Sequence, residues 1–123
     1  MSEPTTATEM ATPEERIRVA VVDDQPLVRM GLRTLINSED DLALVGEAED
    51  GRAGLDLVRR VRPDVVLMDV RMPRLDGIEV IQALRGWTSV PIIVVSGRTG
   101  SADKVEALDA GADDFVTKPF GMD

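Results

Sequence analysis

The stretch VVLMDVRMPRLDGIEV, residues 65–80, decides the fold. Its first four residues, Val65-Val66-Leu67-Met68, are apolar without alternation, which suits a strand buried on both faces. The run ends abruptly in a carboxylate, Asp69. A loop with Pro73 and Asp76-Gly77 follows, and GIEVIQALR (77–85) then repeats apolar residues at helical spacing, with Ile78, Ile81 and Leu84 facing inward. A buried strand, a loop and an amphipathic helix make one unit of an α/β fold.

The same unit recurs on either side. Upstream, IRVAVV (17–22) is a β-branched strand. The helix in QPLVRMGLRTLIN (25–37) places Val28, Leu32, Leu35 and Ile36 on one face, and Pro26 suits its first turn. LALVGE (42–47) is a second strand, and Asp50 is placed to N-cap a helix carrying Leu55, Val58 and Val61, which Pro63 closes. Downstream, PIIVVS (91–96) is strand four, SADKVEALDAG (101–111) a helix ended by Gly111, and DFVTK (114–118) a short fifth strand. This order predicts a doubly wound, five-stranded parallel sheet with helices on both faces. No helix follows strand five before Asp123. The expectation is therefore a domain over 17–123 without its last helix, with exposed apolar surface and either lowered stability or self-association. Residues 1–16 (MSEPTTATEMATPEER) show no periodicity and read as a disordered tail.

Composition removes several classes of function. At 123 residues there is room for one modest core. A net charge of −9 disfavours direct binding to nucleic acid. No apolar run approaches the roughly 18 residues of a membrane span. Glu3 and Glu9 stand where a signal peptide would be basic and apolar, so a cytoplasmic location with no membrane partner is expected. The chain has no cysteine and no histidine. Disulfides, thiolate or imidazole metal sites and an internal phosphohistidine are excluded, and any such group must come from a partner.

In an open parallel sheet, ligands bind beyond the carboxyl ends of the strands. Strand one ends in Asp23-Asp24, strand three in Asp69, strand four in Ser96 and strand five in Lys118. Singly, each has an ordinary structural reading as a turn, a cap or a solvated charge. Together, three carboxylates crowded at one rim repel one another unless a cation sits among them. Oxygen donors without nitrogen or sulfur suit a hard cation, most naturally Mg²⁺. A magnesium ion beside a carboxylate, a hydroxyl and a lysine is suited to phosphoryl transfer. Asp69, on a central strand, is the natural nucleophile, with Asp23 and Asp24 on the neighbouring strand holding the metal.

VVDDQPLVRMGLRTLI, PDVVLMDVRMPRLDGIEV, PIIVVSG and GADDFVTKPF, in this order and spacing, resemble the receiver domain of two-component response regulators (CheY-like), over residues 17 to about 120. The resemblance implies the flavodoxin-like strand order 2-1-3-4-5. It implies that Asp69 accepts a phosphoryl group from a sensor histidine kinase, whose phosphohistidine supplies the absent imidazole. Asp24 becomes the main Mg²⁺ ligand beside Asp23, and the Arg71 main-chain carbonyl completes the metal site. Ser96 becomes the hydroxyl that moves to the phosphoryl group, Lys118 its ion-pair partner, and Phe115 the switch aromatic. A cis Lys118-Pro119 bond and a homodimer formed on phosphorylation are implied as well. The front of the domain resembles receivers of the NarL/FixJ type and its end those of the OmpR type. Both attach to DNA-binding output domains, so DNA would be met only through a domain outside this chain. The role implied is a switch controlling transcription, not an enzyme on an external substrate.

Rival readings fare worse. A Mg²⁺-dependent aspartyl phosphatase would want an acid two residues after the nucleophile, where Arg71 stands. A flavodoxin-like cofactor carrier would want a hydroxyl-rich loop after strand one, where Asp23-Asp24-Gln25-Pro26 stands. A phosphate-independent interaction module would not need the full set of five rim residues. Elsewhere, Trp87 reads as partial packing, Met30, Met68 and Met72 as gap fillers, and Asp113-Asp114 as a turn. Arg59, Arg60 and Arg62 read as the solvated end of a helix.

Overall fold

The computed structural model describes residues 15–70, 72, 75–97 and 101–118. Five strands, β1 (Ile17–Val22), β2 (Leu42–Ala48), β3 (Val65–Met68), β4 (Ile92–Ser96) and β5 (Asp114–Thr117), alternate with four helices. The helices are α1 (Pro26–Asn37), α2 (Gly51–Val61), α3 (Gly77–Arg85) and α4 (Ser101–Ala110). The strands form one sheet in the order β2-β1-β3-β4-β5, and every neighbouring pair is parallel. The fold is that of the flavodoxin and CheY-like class, as the sequence predicts. The order reverses between β1 and β3, and in open parallel sheets ligands bind at the strand carboxyl ends beside such a reversal.

Side-chain alternation divides the core. Ala20 and Val22 of β1, with Val66, Met68, Ile92 and Val94, face α2 and α3 in the larger half. Val19 and Val21 face α1, whose Val28, Leu32 and Ile36 are spaced by four residues and buried. Leu35, expected on that face, is instead 52% exposed. A helix that buries a single i, i+4, i+8 row turns the residue before Ile36 outwards. Beyond α1, on the same face of the sheet, Leu67 and Ile93 are half-buried and Val116 is exposed.

The helix starts are fixed locally. α1 opens on Pro26, whose missing N–H costs nothing in a first turn. The expected N-cap of α2 is present, with Asp50 Oδ1 accepting from the Ala53 N–H at 2.8 Å. α3 carries a full capping box: Asp76 accepts from the Glu79 N–H, and Glu79 accepts from the Asp76 N–H. That box sets where α3 begins relative to Asp69. Gly77 makes the approach possible, because a Cβ there would lie 2.3 Å from the Asp69 carbonyl oxygen and 2.6 Å from Val70 Cα. α4 ends at Gly111, which takes the left-handed φ of 124°.

Candidate functional site

Backbone ladders bring four of the predicted residues to one rim. The Asp23 N–H donates to Ala48 O at 3.0 Å, and the Asp69 N–H to Val22 O at 3.0 Å. The Lys118 N–H donates to Ser96 O at 2.7 Å. Each contact extends a strand pairing by one residue, so side chains far apart in sequence are aimed over the same edge. Asp23, Asp69 and Ser96 are the three buried polar residues among those described. Asp24, beside them, is half-buried.

The carboxylates of Asp23, Asp24 and Asp69 offer ligand oxygens that all lie within 4.8 Å of one another. Lys118 reaches in from β5. Its Nζ stands 3.2 Å from Asp69 Oδ2 and 3.3 Å from Asp23 Oδ2, and it also donates to Gln25 Oε1. An ammonium has three protons, and here three acceptors surround it. The ion pairs are sheltered, with the Lys118 side chain only 4% exposed. Asp23 is held in an Asx-type turn, its Oδ1 accepting from the Gln25 N–H at 2.9 Å. Burial pushes the Asp23 carboxyl above its ordinary value. The Gln25 N–H opposes that shift, the Asp69 charge adds to it, and Lys118 opposes it again.

Three carboxylates whose oxygens lie this close together could hold a metal ion, and an all-oxygen donor set fits a hard divalent cation of the class of Mg²⁺. Ser96, wholly buried at the end of β4, sits in register opposite Thr117, next to Lys118. Phe115, opposite Val94, is half-buried and packs against the larger half of the core. Arg71 and Pro119, expected to give a metal-binding carbonyl and a cis bond, lie outside the described residues.

Two participants escape a reading of the sequence. Gln25 ties Asp23 to Lys118, and Arg29 Nη1 donates to the Asp23 carbonyl at 2.7 Å. A residue two past an aspartate is a standard Asx-turn partner, so Gln25 carried a usable signal. Arg29 carried none, since an arginine one turn into a helix reads as solvated.

Comparison with known proteins shows the family of the chain. The family model described as the response regulator receiver domain matches residues 19–123. The chain belongs to the response regulator receiver family. Among curated relatives, the transcriptional regulatory protein KdpE of Mycobacterium tuberculosis is 50% identical over 105 residues, which is 85% of this chain and 46% of that protein. The KDP operon regulator KdpE of Escherichia coli K12 is 45% identical over 85% of this chain and 45% of its own length. A protein-glutamate methylesterase/protein-glutamine glutaminase of Methanococcoides burtonii is 40% identical over 86% of this chain and 31% of its own length. The receiver thus spans less than half of the curated relatives it matches. Among solved structures, the receiver domain of NarL from M. tuberculosis superposes with a TM-score of 0.82 at 38% identity, covering 85% of this chain and 86% of that one. The response regulator domain of Thermotoga maritima CheB gives 0.80 at 42% identity, covering 86% and 81%.

Proposed function

We propose that this receiver, residues 17–123, accepts a phosphoryl group on Asp69 from the phosphohistidine of a sensor histidine kinase, and that the reaction requires Mg²⁺. The observation that carries the reading is the placement of Lys118 against Asp69 and Asp23 within a cluster of three carboxylates. Asp23, Asp24 and Asp69 would hold the cation, with the Arg71 carbonyl as a further donor. When bound, Mg²⁺ neutralises the carboxylates and the oxygens of the transferring group.

The chain's own residues do the rest. Asp69, presented at the tip of a central strand, attacks phosphorus with a carboxylate oxygen, and the imidazole of the donor leaves with the bonding pair. The product is an acyl phosphate on Asp69. Lys118, already 3.2 Å from that carboxylate, needs little movement to pair with a phosphoryl oxygen. Ser96 donates its hydroxyl to another. Each is anchored at a strand end, so these contacts draw the ends of β4 and β5 together and bias an existing equilibrium. Phe115, in the middle of β5, is placed to report the shift by exchanging one packing for another.

The role is that of a switch in the cytoplasm. No described helix is long and apolar enough to cross a membrane. Relatives named as transcriptional regulators support a DNA-binding output beyond this domain, and association of two phosphorylated copies belongs to the same reading. The test is chemical. After acetyl phosphate and Mg²⁺, borohydride reduction should convert one aspartate to homoserine, and peptide mapping should find it at position 69. A reduced residue elsewhere, or none in folded protein, would refute the assignment.

A further inference from the structure

The basic end of α2 has no part in the rim at the strand carboxyl ends. Arg59, Arg60 and Arg62 stand exposed in its last turn and cap. Arg18 turns its guanidinium to the same place, with Nη1 2.7 Å from the Arg62 carbonyl and Nη2 2.8 Å from that of Val61. Among the described residues, Arg59, Arg60 and Arg62 make no ion pair. The acidic neighbour Asp64 gives a carboxylate oxygen to the Arg18 N–H at 2.8 Å. Cations at a helix C-terminus are accounted for by its dipole. What lies beside them is not.

Trp87, in the connection from α3 to β4, is 45% exposed, and the Arg59 guanidinium lies 5.8 Å from its ring centroid. Between the C-terminal end of α2 and the connection from α3 to β4 is a cleft of about 160 Å³ lined by Val58, Arg62, Pro63, Trp87, Thr88 and Val90. Its lining combines the apolar Val58, Pro63 and Val90 with the Trp87 indole, the Thr88 hydroxyl and the Arg62 guanidinium, and Arg59 lies over the indole. The cleft sits where β3 and β4 start, at the opposite edge of the sheet from Asp69. A half-exposed indole under a guanidinium, beside a small cleft of mixed apolar and polar lining, has the composition of a protein-binding anchor site.

We propose that this cleft docks a partner protein through an acidic peptide segment bearing an apolar side chain. The apolar side chain fills the space against Val58, Pro63 and Val90, and flanking carboxylates pair with Arg59 and Arg62. Charge complementarity selects this occupant. A nucleic acid would meet the same arginines, but a chain of net charge −9 repels a long polyanion far more than a short acidic segment. Because the two sites lie at opposite edges, the partner leaves Asp69 open, and docking is compatible with phosphoryl transfer.

Trp87 is the only tryptophan and the chain has no tyrosine, so its emission reports on the cleft directly. A synthetic Glu/Leu peptide is titrated into the protein, alongside a Lys/Leu peptide and an oligothymidylate. The Glu/Leu peptide should shift Trp87 emission saturably, and the other two should not. The double variant Arg59→Gln/Arg62→Gln should raise its Kd about tenfold or more. Circular dichroism and acetyl phosphate labelling at Asp69 should be unchanged in that variant. If it fails to fold, Arg59→Gln alone is measured, with about a threefold rise expected. No saturable shift, an unchanged Kd in a folded variant, or equal or tighter binding of the Lys/Leu peptide or the oligothymidylate would overturn the proposal.

Discussion

Lys118 Nζ stands 3.2 Å from Asp69 Oδ2 across 49 residues of sequence, and the Lys118 N–H is bonded to the end of β4. The ammonium is therefore fixed by the sheet before any phosphoryl group arrives. Replacing it should separate two roles. In Lys118→Ala, acetyl phosphate labelling of Asp69 should slow by about a hundredfold, the usual loss for a positioned charge donor. Mg²⁺ should nevertheless bind several-fold more tightly, since a competing cation has left Asp23 and Asp69. Calorimetric titration of Mg²⁺ beside a labelling time course would reveal both, and weaker Mg²⁺ binding would contradict the competition.

Asp23 gives a pH-dependent stability whose sign is fixed by its raised carboxyl. Burial comes first among the causes, the Gln25 N–H opposes it, and Asp69 then adds to it. A group whose pKa is higher folded than unfolded contributes stability below the unfolded value of 3.8, and that contribution is lost as pH rises through the folded value. At neutral pH without divalent cation, ionised Asp23 is therefore a cost. Asp23→Asn should melt higher than the parent at neutral pH in chelator, and the gap should close in acid. Added Mg²⁺ should stabilise the parent and not the variant. Thermal melts across pH, with and without Mg²⁺, settle the sign.

Glu47 behaves oppositely. The Arg33 side chain, at 2.7 Å, holds its carboxyl below the ordinary value against a smaller effect of burial. Its contribution is present above the unfolded pKa and is lost as pH falls through the folded one. Glu47→Gln should lower Tm slightly at neutral pH and low salt, and about 0.5 M NaCl should remove the difference, because the pair is exposed. A large, salt-resistant loss would mean that Glu47 does more than pair with Arg33 and Arg29.

Gly77 tests the approach of α3 to the site. A methyl group there meets backbone at 2.3 Å and 2.6 Å, which no rotamer change relieves. Gly77→Ala should cost about 3 kcal/mol or more in urea unfolding and should slow labelling of Asp69 even where the protein stays folded. A stable variant that labels normally would show that α3 can shift freely.

Much of this was legible in the sequence because the signals were local. Apolar runs gave the strands, Asp50 the cap of α2, and strand-end positions put Asp23, Asp69, Ser96 and Lys118 on one rim. What escaped depends on tertiary geometry. Leu35 fits the helical period as well as Ile36 does, and which of the two is buried depends on which row of α1 meets Val19 and Val21. Lys118 was expected beside a phosphoryl group, but its contacts with Asp23 and Gln25 require knowing how far β5 reaches over β1. Arg59 and Trp87 belong to different helices' ends, and nothing in either segment announces the other.

Intact-mass spectrometry of the protein and of Asp69→Asn, each incubated with acetyl phosphate in Mg²⁺ or in chelator, bears directly on the phosphoacceptor. A single phosphoryl adduct should form on the parent in Mg²⁺, and none in chelator or on Asp69→Asn. An adduct that persists in Asp69→Asn, or forms equally without divalent cation, would show that Asp69 and its carboxylate neighbours are not the phosphoryl site.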